Sequence, residues 1–141
     1  MNLRIALTVI SLAGLLVACK SKKTNELLMN KKWRVYDVQI PPESPISNTQ
    51  YIQAEDLKRT YYKDAYYQFL DNNVFVATIA GKADTGKYYI LSNGAMISVT
   101  AKNGDRRVEN LVTITKLTED NFDMKVTSTD FQFILCTKRE K

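Results

Sequence analysis

Residues 87–104 read Lys-Tyr-Tyr-Ile-Leu-Ser-Asn-Gly-Ala-Met-Ile-Ser-Val-Thr-Ala-Lys-Asn-Gly. The two Asn-Gly pairs, Asn93-Gly94 and Asn103-Gly104, bracket one apolar run and are flanked by two more. Asn-Gly between apolar runs is a strong hairpin signal, because both residues tolerate positive φ. The stretch therefore predicts three sequential antiparallel strands, Lys87–Leu91, Ala95–Ala101 and Arg106–Leu117. Working outward, Asn121–Thr127 alternates Phe122, Met124 and Val126 with Asp123 and Lys125, the period of a half-buried strand. Phe131–Thr137 follows. Ala65–Leu70 and Val74–Ile79 precede, joined through Asp71-Asn72-Asn73, and Trp33–Ile40 comes first, ended by Pro41-Pro42. Eight strands with short turns predict an all-β, antiparallel up-and-down barrel that closes on itself and leaves no exposed edge.

Two helices interrupt this pattern. Thr24–Lys31 predicts a short N-terminal helix capped by Thr24, with Glu26 near its start. Gln53–Thr60 predicts a helix between the first two strands: Ala54, Leu57 and Tyr61 share a face, and Glu55 with Arg59 has i, i+4 spacing. On the last strand Phe131, Phe133 and Leu135 face inward. Ile134 and Cys136 lie on the other face, which is expected to be covered by the N-terminal segment or the middle helix.

The chain has 141 residues, the size of one domain, and its 45% apolar and 25% charged content is that of a globular protein. It contains no histidine, which removes the usual neutral-pH general base and the commonest metal ligand. Two cysteines provide neither a disulfide framework nor a four-cysteine zinc site. Gly81-Lys82-Ala83-Asp84-Thr85-Gly86-Lys87 has the spacing of a phosphate-binding loop, but Tyr88 stands where serine or threonine is needed and a strand follows instead of a helix. The pairs Glu55/Asp56 and Glu119/Asp120 are adjacent residues that point apart, and Asp120, Asp123 and Asp130 lack calcium-loop spacing. The expectation is a non-catalytic protein with no metal and no cofactor.

The first residues are set apart from the domain. Arg4 precedes an apolar run from Ile5 to Val17, shorter than the roughly 20 residues a membrane-spanning helix needs, and Lys20, Lys22 and Lys23 end it. This is the pattern of a secretory signal peptide. Its end, Leu16-Val17-Ala18-Cys19, resembles the lipobox of bacterial lipoproteins. The resemblance implies removal of residues 1–18 and acylation of Cys19. More than one acyl chain on Cys19 anchors the protein stably. Residues 19–26 are then expected to be the lipidated cysteine and a polar tether, and residues 27–138 the barrel. Removing 1–18 takes one arginine and no acid, so the net charge changes from +5 to +4. That charge suits an anionic membrane surface better than nucleic acid, which is not expected as a partner. Lysine after the cysteine, in place of the aspartate of inner-membrane retention, points to the outer membrane. The absence of an acidic export run in Lys20–Thr24 points to its periplasmic face.

Several motifs together resemble the small lipocalin-like lipoproteins of Bacteroidota: Lys32-Trp33-Arg34-Val35, Tyr67-Gln68-Phe69-Leu70-Asp71, Gly86-Lys87-Tyr88-Tyr89-Ile90 with Asn93-Gly94, and Lys116-Leu117-Thr118 with Phe122. Their order spans Leu27 to Leu135. The resemblance implies a lipocalin-like barrel with Trp33 packed against its closed end beside Leu27 and Leu28, and a calyx for a small apolar ligand. The chain departs from the family at Lys31, where glycine is usual, and at Asp71-Asn72-Asn73, where the turn is usually Asp-Gly.

Within such a barrel the side chains expected to line the interior are Tyr67, Phe69, Val76, Tyr88, Ile97, Phe122, Met124 and Phe133. Two functions follow from two interiors, because eight strands either leave room for one ligand or are plugged by side chains. With room, the protein is an anchored lipoprotein that binds a small, mainly hydrophobic molecule. With a plug, it is a module that engages another envelope protein as an inhibitor or assembly factor.

Overall fold

The computed structural model describes residues 20–45, 47–103, 106–128 and 130–141, and the side chains of these except 102, 103 and 106. Residues 1–18, expected to be a signal peptide, and Cys19 lie outside the described residues, as does Gly104 of the second Asn-Gly pair. A helix over residues 20–28, α1, precedes β1 (Lys32–Gln39). Then come α2 (Asn48–Arg59), β2 (Tyr66–Leu70), β3 (Val74–Ile79), β4 (Lys82–Leu91), β5 (Met96–Asn103), β6 (Arg106–Leu117), β7 (Asn121–Ser128) and β8 (Phe131–Arg139). Each strand pairs antiparallel with its neighbour in sequence, and β8 pairs with β1, so the sheet closes into an up-and-down barrel.

The turns carry the strain that Asn and Gly relieve. Asn72 and Asn73 both have φ of 58°, Asn93 has 57° and Gly94 has 88°. These are left-handed conformations that asparagine and glycine adopt more cheaply than other residues. Asn73 also donates through Nδ2 to the Tyr88 carbonyl at 3.0 Å, tying the β2–β3 turn to β4. β4 begins five residues before the sequence suggests: Lys82–Gly86, expected as a loop, pairs with β3 from Ile79↔Lys82 to Phe75↔Gly86. Gly86 is needed there, since a Cβ at that position would collide with the Thr100 carbonyl of β5.

The helices depart from their expected starts. α1 is helical from residue 20, so the tether expected over 19–26 is, from Lys20 on, part of the folded domain. Thr24 sits inside the helix and donates its hydroxyl to the Gly94 carbonyl at 3.3 Å instead of capping. α2 begins at Asn48 because Ser47 caps it, its Oγ accepting from the Gln50 amide at 3.1 Å. The Glu55–Arg59 pair forms at 3.2 Å. The helix ends at Arg59, so Tyr61 falls beyond it and is half exposed, while Tyr62 packs on the core beside Leu57.

β1 pairs with β2 only over Lys32–Arg34, and the two then diverge. α2 packs against β1, with Ala54 and Leu57 reaching the core, Lys58 paired to Asp37 at 2.8 Å and Gln50 donating to the Gln132 carbonyl of β8 at 3.2 Å. On the outer wall Cys136 is 3% exposed, with Asp37 and Asp123 as its cross-strand neighbours. Burial and those two carboxylates push its thiol up to about 11. Ile134, on the same face, is half-buried.

Candidate functional site

Strand pairing fixes which side chains point inward, because directly paired residues share a face. Three residues separate Leu70 from Val74, so odd positions of β2 pair with odd positions of β3: Tyr67↔Ala77 and Phe69↔Phe75. The inward set of β3 is therefore Phe75, Ala77 and Ile79. Val76, expected to line the interior, lies on the opposite face from Phe75 and Ala77. Val74–Ile79 is apolar at both parities, so its composition alone does not choose a face.

The two ends of the barrel are built differently. At one end α1 lies across the barrel and makes a floor. Asn25 Oδ1 accepts from the Tyr88 hydroxyl at 2.9 Å, and Leu28 is fully buried. Trp33 is fully buried too, and its Nε1 donates to the Leu28 carbonyl at 3.1 Å. Its ring meets Phe122 edge-on at 5.8 Å, and Phe69 meets Phe122, Tyr88 and Phe75 at 5.6, 5.0 and 5.3 Å. These distances and tilts are those of favourable aromatic pairs. Leu27 is only half-buried. Lys31 pairs with Glu119 at 2.8 Å and lies 5.7 Å from the centre of the Trp33 ring. The positive φ of this segment falls on Asn30, at 56°.

Above this floor the interior opens into a cavity of about 850 Å³. Its apolar walls come from β2, β3 and β5–β7, with Phe75, Ile97, Val99, Val112, Phe122 and Met124 prominent. Tyr61, Asp84, Val108 and Leu111 lie at its exposed end. Of the side chains expected to line the interior, Tyr67, Ile97, Phe122 and Met124 border the cavity. Phe69 and Tyr88 are buried in the floor beneath it. Phe133 is fully buried beside Phe131, with ring centres 6.4 Å apart, away from the cavity surface. Phe75, Ala77, Val99 and Val112 were missed. For β3 the signal was present in the length of the Asp71–Asn73 turn.

Tyr61, Tyr62 and Tyr67 line one side of the cavity, and its exposed end also carries Asp84, Glu109, Asn110 and Thr127. Tyr67 is 7% exposed, and among the described residues its hydroxyl has no hydrogen-bond partner. Burial, with Tyr62 and Tyr61 nearby, holds that phenol well above its ordinary value. Burial pushes Tyr62 up to about 12. Both phenols are therefore neutral donors over the whole physiological range. Tyr61 and Tyr62 meet edge-on with ring centres 5.0 Å apart. The arrangement can surround an apolar body and offer hydroxyls to one polar group on it. Among the described residues no group of three or more Cys, Asp or Glu side chains stands close enough to hold a metal ion.

No protein-family model matches this chain, and no curated protein matches it. Among solved structures, the chain is similar to an uncharacterized protein from Bacteroides eggerthii DSM 20697 whose crystal structure is known at 2.60 Å resolution. The two share 12% sequence identity with a TM-score of 0.49, over 77% of this chain and 97% of that one.

Proposed function

We propose that the protein is a lipid-anchored lipoprotein of the bacterial envelope whose lipocalin-like barrel carries a small, mainly hydrophobic ligand without transforming it. The observation that supports the ligand is the cavity of about 850 Å³ above the aromatic floor. Ligand pockets fall at roughly 300–1,000 Å³, mostly apolar with a few convergent polar groups. A plugged barrel would have side chains where this space lies, which favours the ligand reading over the interaction module. The anchor rests on the lipobox at Leu16–Cys19, and the outer-membrane, periplasm-facing location rests on Lys20 and the residues after it.

The test uses the protein extracted from membranes in mild detergent. A neutral apolar dye such as Nile red is titrated into it, and native mass spectrometry looks for co-purified adducts. Saturable, one-to-one dye binding is expected. Val99→Trp, which fills the cavity, abolishes it while circular dichroism still reports β-structure. No saturable binding and no adduct would overturn the ligand reading.

A further inference from the structure

The floor of the barrel is also the end from which the chain leaves toward Cys19. Lys20 is the first described residue, and its carbonyl lies against Gly94, in the β4–β5 turn. Thr24 is bonded to the same glycine, Asn25 to Tyr88, and Leu28 is sealed under Trp33. A flexible seven-residue tether would separate anchor and barrel by roughly 15 Å and let the barrel turn freely. Here only one peptide unit, about 3.8 Å between Cα atoms, lies between Cys19 and the fixed helix.

The charges at this end favour the same geometry. Lys20, Lys22 and Lys23 are exposed on α1, and Lys116, Arg139 and Lys141 are exposed close by. Glu119 and Glu140, also here, are occupied by Lys31, Lys32 and Arg34. The remaining acids at this end are Glu26, which faces Lys22 at 4.0 Å, Asp71, Asp120 and the buried Asp123 across from Lys116. The floor therefore presents an excess of free positive charge.

We propose that α1 and the barrel floor rest on anionic lipid headgroups, so that the cavity opens away from the membrane that holds the anchor. This rests on the lipid-anchor reading of Cys19. β8 has nine residues, roughly 30 Å at 3.3 Å per residue. Strand tilt brings that to about 20–25 Å between floor and mouth, more than two Debye lengths at physiological salt. The cavity then exchanges its ligand with the aqueous compartment or with a carrier across it, not with the bilayer beneath it.

The full-length lipoprotein, matured in cells, is reconstituted into vesicles containing phosphatidylglycerol. A fluorophore is placed by Asp120→Cys at the floor or by Lys82→Cys, exposed in the β3–β4 turn, at the mouth. Cys136 is buried and does not compete for the label. With a quencher on the lipid headgroups, the floor label is expected to be quenched about fivefold more than the mouth label, given their separation. Equal quenching, or a mouth label quenched more, overturns the proposal. Lys20→Gln, Lys22→Gln and Lys23→Gln together are expected to halve the contrast, to about half its original value, with the protein still bound; an unchanged contrast overturns the role given to the headgroups. Protein that fails to float with the vesicles at all overturns the anchor reading itself, and flotation separates that failure from a wrong orientation.

Discussion

The floor and the mouth of this barrel are made from the same strands, yet they use aromatic side chains in opposite ways. At the floor Trp33, Phe69, Tyr88 and Phe122 interlock, and each polar atom that burial would orphan finds a partner: Trp33 on the Leu28 carbonyl, Tyr88 on Asn25. At the mouth Tyr67 keeps its hydroxyl unpaired among the described residues, beside open space. Filled space with satisfied polar groups stabilises a fold; unfilled space with an idle donor does little for the fold and leaves binding capacity. One end thus holds the structure, and the other is free to hold a ligand.

The sharpest way to break this contrast is Trp33→Ala. It removes the largest fully buried side chain and the bond that pins α1, and is expected to cost about 3–5 kcal/mol in urea unfolding. A loss under about 1 kcal/mol would show that the floor is not the stabilising end.

Alkaline pH tests the wall between the two ends. The Cys136 thiol is held near 11 in the fold against an ordinary value of 9.0. As pH rises past 9 the unfolded chain gives up this proton first, so stability falls between about pH 9 and 11, by roughly 2–3 kcal/mol in all. Cys136→Ala should flatten that slope. A variant that keeps the slope would assign it to the buried phenols, Tyr62 near 12 and Tyr67, which burial also raises.

Ile97→Ala probes the cavity wall. Ile97 is 1% exposed but already borders empty space, so its loss is expected at the low end of the usual range, about 2 kcal/mol. A cost equal to that of Trp33→Ala would mean the space closes in solution.

The finest comparison is one substitution at two tyrosines. Tyr88→Phe should cost about 1 kcal/mol and speed amide exchange in α1, because it orphans Asn25. Tyr67→Phe should change stability by less than about 0.5 kcal/mol, while weakening binding of a ligand that carries a polar group. If the two variants unfold identically, the division of labour between the ends is wrong.

Much of this was legible in one dimension. Strand number and order follow from alternation and turn residues, and the left-handed turns at Asn72-Asn73 and Asn93-Gly94 are where asparagine and glycine stand. These are local signals, each written within a few residues. The inward face of β3 was less legible: Val76 and Phe75 are both apolar, and the choice belongs to pairing with β2 across a three-residue turn. The start of α1 was not legible at all, because Lys20–Thr24 is polar and has no buried face of its own until Gly94 and Tyr88 arrive from distant strands.

The sequence by itself determined the barrel, its strand order and the residue types available to its interior, since these depend on periodicity and turn chemistry. Only the tertiary structure decided that Trp33, Phe69, Tyr88 and Phe122 interlock at one end and leave a cavity at the other, and that the expected tether is a helix on the floor. Both depend on contacts between residues far apart in the chain, where shape and hydrogen-bond partners, and not local preference, fix the outcome.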